Sequence, residues 1–265
     1  MKPVLVVSVV LPVATLLVLA GTLTACALSD VMPNDESEDA RTQLSQLPES
    51  QQIVKETFLG KDTTIKTALV GSVTVGYASQ SDYENGKHPT SPIVTLTRGA
   101  SITHTLTVAN RSKVYITGGR IGFRERNTYG NNYGGEVLAG DKSSVVFSGG
   151  MAHSLSATGQ STVTLTGGTI GAMVIVGEHG TLNLKGGTMK GEISLGPGGT
   201  LNVFGTNLNK KLLRPGETKY SASYADQADQ YVLSGTLSDG TALAGKVLLV
   251  SKTGGSKVNF IKGTS

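Results

Sequence analysis

The sequence predicts an all-β chain in which short strands stack coil upon coil, and three observations predict it. Five octets align without gaps, four of them closing on Gly-Gly. A second strand-like segment precedes each octet at a nearly fixed distance. Glycine is abundant, at 35 of 265 residues, while aromatics make up 5% and tryptophan is absent. That balance suits short strands and tight turns better than a core of large side chains.

The octets are Ser112–Gly119, Ser143–Gly150, Ser161–Gly168, Gly180–Gly187 and Gly199–Thr206, with starts 31, 18, 19 and 19 residues apart. The preceding segments are Thr105–Val108, Glu136–Ala139, Ser154–Ala157, Met173–Val176 and Glu192–Leu195. Each coil thus holds two clear strands and two turns. Within an octet such as Ser112–Gly119, Val114 and Ile116 alternate with Tyr115 and Thr117, the period of a strand with one buried face. One coil cannot bury that face, whereas stacking makes two continuous columns. They are Val114, Val145, Val163, Leu182, Leu201, and beside them Ile116, Phe147, Leu165, Leu184, Val203. The Gly-Gly pair is expected to turn the chain at a corner where a β-carbon would clash. Strict six-residue intervals, the mark of left-handed solenoids, are missing. The expectation is a single-chain parallel β-helix of about five coils over 99–206, right-handed by preference.

Open solenoid ends expose strand edges and need covering. Residues 65–98 read as an N-terminal β cap, with strands at Ala68–Val75 and Ile93–Thr97 and a polar, exposed loop from Ser79 to Pro92. Residues 207–265 read as a C-terminal β cap and tail. There, Tyr231–Leu237 and Ala242–Val250 flank Ser238-Asp239-Gly240, and an Asp-Gly step between alternating strands signals a hairpin.

The N-terminus carries export features. Lys2 precedes an apolar stretch from Val4 to Ala20 that leads to Leu23-Thr24-Ala25-Cys26. Residues 1–25 therefore read as a signal peptide. On length alone the apolar stretch could span a bilayer. The four residues ending at Cys26 resemble the bacterial lipobox. That resemblance implies acylation of Cys26 and cleavage before it, and more than one acyl chain holds a protein stably to a membrane. Ala27, in place of an aspartate, implies by the same analogy the outer membrane or cell surface. Residues 26–64 read as an acidic and polar tether, too polar to bury a core of their own. The single cysteine excludes an intrachain disulfide.

The whole layout resembles a group of exported bacterial repeat proteins found in planctomycetes. The elements that carry the resemblance are Ser161–Gly171, Leu201-Asn-Val-Phe-Gly-Thr206 and Leu233-Ser-Gly-Thr-Leu-Ser-Asp-Gly-Thr-Ala-Leu243. It covers about residues 65–250, and implies a repeat fold but no defined activity. The chain departs from the group at Asn259–Ser265, where no hydrophobic or basic sorting tail stands, so the lipid at Cys26 would replace one.

Many β-helices act on polysaccharides, which makes the carboxylates worth placing. Register sets Glu136 and Glu192 three coils apart, about 14 Å, and Asp141 and Glu178 two coils apart, about 10 Å. Glycosidase pairs need roughly 5 Å or 6.5–9.5 Å, so these read as exposed turn carboxylates. His104 and His153 share a column with Gly135 between them, too far apart to hold one metal. His179 and His88 lie elsewhere. Neither a phosphate loop nor a calcium nonapeptide occurs, and no cofactor is expected. The column Tyr115, Val146, Thr164, Asn183, Asn202 is no threonine ladder of the ice-binding kind. The charge of +4 is small and dispersed, and it points to no nucleic-acid partner.

One coil is irregular. An insertion of about 12 residues falls within Arg120–Gly135, and insertions in repeat proteins often carry binding. It concentrates Arg120, Arg124, Arg126, Tyr129, Asn131, Asn132 and Tyr133. Tyr and Arg are common interface anchors, and amide and guanidinium donors beside aromatic faces suit sugars. The expected ligand-binding residues are Arg124, Arg126, Tyr129, Asn131 and Tyr133. The function these features favour is a lipid-anchored structural or adhesion module of the cell envelope that contacts glycans or other envelope proteins. The competing reading is a carbohydrate-active lyase or hydrolase that uses the long coil and Asp141. A passenger of the autotransporter type is disfavoured, because no run of membrane-barrel strands follows.

Overall fold

The computed structural model describes residues 56–122, 135–213, 217 and 228–263. The described residues are all-β with one short helix, and the strand pairing is parallel apart from the two partnerships of Ala228–Leu237.

Parallel pairing runs in rows. One row joins Glu56–Leu59, Ser72–Val75, Leu106–Val108, Glu136–Ala139, Ser154–Ala157, Val174–Val176, Ile193–Leu195 and Lys246–Ser251. A second joins Thr63–Ile65 and Ile93–Leu96 to the octet strands and ends at Lys257–Lys262. Both expected inward columns form in the expected register: Val114 faces Val145, then Val163, Leu182 and Leu201, and Ile116 heads the neighbouring column. All ten side chains are buried, and Phe147 is the largest of them. Alternation in sequence becomes a core only because each layer covers the apolar face of the one before it.

The Gly-Gly pairs do not end the strands. Four of the five octet strands run nine residues through their glycines, as in Lys113–Ile121 and Ser144–Ala152, and two of their pairings shift register at the glycines. Gly119, Gly150, Gly168 and Gly187 take φ of +80 to +86 there, a conformation that L side chains rarely adopt. The chain bends within the strand, and the two residues beyond make a third inward face. Ala68–Leu69 and Ser101–Ile102 begin that row. Ile121, Ala152, Ile170 and Met189 continue it, all buried. The layers whose octets carry Gly-Gly therefore have three faces where the sequence suggested two.

The ends join the same pairing. Strands within 65–98 pair in parallel with the repeats and extend the stack, whose first described strand is Glu56–Leu59. The polar segment after Gly76 holds the short helix Gln80–Asn85, capped by Ser79, whose side chain accepts the Asp82 N–H, and closed by Gly86 in the left-handed region. At the other end, Ala228–Leu237 and Lys246–Ser251 do form an antiparallel pair. The second of them also stacks in parallel on Ile193–Leu195, and the first lies antiparallel against the outer half of Thr200–Leu212. The hairpin is thus built into the stack.

The first residue of each octet has a role that its composition hides. Ser112, Ser143 and Ser161 are fully buried, and the Ser161 hydroxyl donates to the Ala139 carbonyl at 3.0 Å. Gly180 and Gly199 take that place in later layers, where a β-carbon would stand 2.2 Å from the Ala157 carbonyl oxygen and 2.6 Å from that of Val176. Only a small residue fits this inner corner.

Candidate functional site

Of the residues expected to bind ligand, Arg124, Arg126, Tyr129, Asn131 and Tyr133 lie outside the described residues, as do Asn132 and Cys26. The base of the insertion is described. The Gly135 N–H donates to the Gly122 carbonyl at 3.1 Å, so the insertion leaves and rejoins the stack at one point. Arg120 is half-buried, with its guanidinium 4.0 Å from the Met151 sulfur. Beside this base, burial pushes the Glu136 carboxyl above its ordinary pKa. Burial likewise pushes the His153 imidazole below its own.

Register keeps the expected carboxylates apart. Glu136 and Glu192 fall three layers apart, with Ser154 and Met173 between them. Asp141 and Glu178 flank Gly159 at the turn column. Gly135 separates His104 from His153. Among the described residues, no three His, Cys, Asp or Glu side chains come close enough to share a metal ion.

An open groove lies elsewhere, at the corner between the first and second rows. It encloses about 640 Å³ and is lined by Pro89, Ser91, Asn110, Arg111, Asp141, Lys142, Gly159 and Gln160. Three consecutive turns of equal length build it: Ala109–Ser112, Gly140–Ser143 and Thr158–Ser161. The second residue of each turn, Asn110, Asp141 and Gly159, has positive φ, which lets the chain reverse tightly enough to re-enter the sheet. Rungs tie the turns together. The Lys142 N–H donates to the Asn110 carbonyl at 2.9 Å, and the Gln160 N–H donates to the Asp141 carbonyl. Asp141 Oδ2 accepts the Asn110 N–H at 2.9 Å, so this carboxylate braces the turn of the preceding layer. Asn110 Nδ2 in turn donates to the Gly76 carbonyl at 2.8 Å.

An aromatic group stands near the groove. Tyr77 and Tyr83 meet edge to face at 5.3 Å between centroids, and Phe58 lies 6.2 Å from Tyr83. Burial first, then the charges of Glu56, Tyr77 and Asp141, push the Tyr83 hydroxyl above its ordinary pKa. The groove carboxylate is therefore within electrostatic reach of the aromatic group.

Sequence reading identified Asp141 but missed Ser91, Arg111, Lys142 and Gln160. Each looks like an ordinary turn residue; Arg111, Lys142 and Gln160 share a place immediately before an octet, whereas Ser91 precedes none. No family model matches the chain, and no curated protein or solved structure matches it either.

Proposed function

We propose that this chain is a lipid-anchored cell-envelope protein whose body, a right-handed parallel β-helix, serves as a structural or adhesion module for glycans or other envelope proteins. The observation that carries the reading is the parallel register from Glu56 to Lys262. Such stacking fixes outward side chains at regular intervals on a rigid body, which suits presentation to an extended partner. The lipobox-like Leu23-Thr24-Ala25-Cys26 supports a membrane anchor at the outer membrane or cell surface. The tether composition of residues 26–64 suits a spacer between lipid and body.

Two experiments test it. Metabolic labelling with an alkynyl palmitate analogue should mark the wild type and not Cys26→Ser, and equal labelling of both would remove the anchor. Arraying the Cys26→Ser protein on bacterial glycans and envelope proteins should give specific binding. If Arg124→Ala with Tyr129→Ala leaves that binding unchanged, the insertion is not where it occurs.

The groove beside Asp141 favours one further reading, a polysaccharide lyase or hydrolase. A reducing-end assay over a polysaccharide panel addresses it. Product formed by the wild type and lost in Asp141→Ala would replace the adhesion reading with an enzymatic one.

A further inference from the structure

Equal turn lengths put Arg111, Lys142, Gln160 and His179 on successive rungs of one outward column, and the pairing of Ile93 with Lys113 sets Ser91 on the rung before them. All five are exposed. The rungs are about 4.8 Å apart, the ordinary inter-strand spacing. The column therefore reads hydroxyl, guanidinium, ammonium, amide, imidazole, every one able to donate a hydrogen bond.

Two of these donors are cations on adjacent rungs. Like charges directly opposite each other in a sheet are unfavourable. Among the described residues neither Arg111 nor Lys142 makes an ion pair. The nearest carboxylate in the sequence, Asp141, already accepts the Asn110 N–H. Two cations against one carboxylate, Asp141, thus leave the described lining of the groove net positive. The remaining lining supplies neutral hydroxyl and amide groups at Ser91, Asn110 and Gln160, with the wall of Pro89 at the margin.

We propose that this groove binds an acidic polysaccharide laid along the stacking direction, with Arg111 and Lys142 taking anionic groups on the sugars and Ser91 and Gln160 taking hydroxyls. The inference rests on the glycan-binding reading above and moves its site from the insertion to the corner groove. A linear polymer matches a linear column of donors. Sugar hydroxyls need the neutral partners that flank the cations, and the faces of Tyr77 and Tyr83 offer apolar surface nearby. A flat anionic bilayer would meet a convex basic patch better than a concave groove containing its own carboxylate.

The test uses the full-length chain with Cys26→Ser, which blocks acylation and the cleavage tied to it; vesicle binding is read against the same chain carrying Arg111→Gln with Lys142→Gln, since residues 1–25 are common to both. Calorimetric titrations would use polygalacturonate, dextran sulfate, neutral cello-oligosaccharide and phosphatidylglycerol vesicles, at low and moderate salt. Binding to one or both acidic polymers is expected, weakening as salt rises, with no measurable binding to the neutral oligosaccharide. Which polymer binds tells carboxylate from sulfate recognition. Arg111→Gln with Lys142→Gln should weaken that binding at least tenfold and not lower the melting temperature, since both side chains are exposed and their mutual repulsion is removed. Four results would overturn the inference: undiminished binding by the double variant, equal binding of the neutral oligosaccharide, binding to vesicles alone, or no binding to either acidic polymer. If Arg124→Ala with Tyr129→Ala abolishes glycan binding while Arg111→Gln with Lys142→Gln does not, only this inference falls. If the wild type binds no glycan and no envelope protein, both readings fall.

Discussion

The carboxylate of Asp239 accepts a hydrogen bond from the backbone N–H of Gly187 at 2.7 Å, joining the C-terminal hairpin loop to a Gly-Gly bend of the stack 52 residues away. Its other contacts are local: Oδ1 accepts the Thr241 N–H at 2.8 Å and Oδ2 the Thr241 hydroxyl at 3.0 Å. A β-carbon on Gly186 would lie 2.2 Å from Asp239 Oδ2. The absence of a side chain at Gly186 is therefore what lets the carboxylate in. Nearby, the Lys246 ammonium donates to the carbonyls of Met189 and Lys190, a second tie between hairpin and stack.

Asp239→Ala is expected to lower stability by about 1–2 kcal/mol, because hydrogen bonds to a charged acceptor are lost at an exposed site. Burial pushes the Asp239 carboxyl up, but the N–H groups of Thr241 and Gly187 and the Thr241 hydroxyl outweigh it, and the net pKa lies below 3.8. A depressed folded pKa contributes stability that is full above the unfolded value and fades as pH falls through the folded one. Urea unfolding should show the variant's deficit at pH 7 and a smaller deficit below pH about 3. An equal deficit at both would mean that the charge is not what holds the loop.

Gly168 and Phe147 are coupled across adjacent layers. A β-carbon on Gly168 would stand 2.5 Å from Phe147 Cε1, and Gly168 has φ +80. Gly168→Ala should cost about 2–4 kcal/mol through backbone strain and overpacking. In a Phe147→Leu background the same change should cost about 1 kcal/mol less, since contacting residues couple by that order. Strictly additive chemical-denaturation energies would refute the contact.

Glu136 and His153 bear opposite pH signatures at the base of the insertion. Burial raises the folded pKa of Glu136, so ionising it costs stability as pH rises from its unfolded value through its folded one. Burial lowers the folded pKa of His153, so protonating it costs stability as pH falls below about 6.5. Glu136→Gln should raise the melting temperature at pH 7 and have little effect at pH 4. His153→Gln should lessen the decline of stability between pH 7 and 5. Melting curves from pH about 7 to about 4 decide both.

An amide ladder runs up the outward face of the octets. Asn259 Nδ2 donates to Asn202 Oδ1 at 2.8 Å, and Asn202 Nδ2 donates to Asn183 Oδ1 at 2.8 Å. The weaker step from Asn183 Nδ2 to the Thr164 hydroxyl measures 3.4 Å. Asn202→Ala removes two rungs and should cost about 1–2 kcal/mol, against about 0.5–1 kcal/mol for Asn259→Ala, which removes one. Equal losses would show that the ladder is incidental.

Period-2 alternation made the inward columns legible, since a one-residue slip would put Val114 or Phe147 in water. The serine or glycine that starts each octet was visible too, although its reason, the tight inner corner, was not. The third face escaped notice because two residues such as Arg120-Ile121 carry no period. The outer layers escaped because Thr63–Ile65 and Lys257–Lys262 lack Gly-Gly, and the helix Gln80–Asn85 because it buries no residue.

By itself the sequence determined that this chain is all-β, which octet residues face inward and which columns they join, because alternation and repeat spacing are local properties that stacking must obey. Only the tertiary structure decided that the chain bends within each strand, that Asp239 closes on Gly187, and that Ser91, Arg111, Lys142 and Gln160 line one groove. Those relations depend on register between segments far apart in the chain, and register is settled by how buried columns pack, which no single stretch of sequence contains.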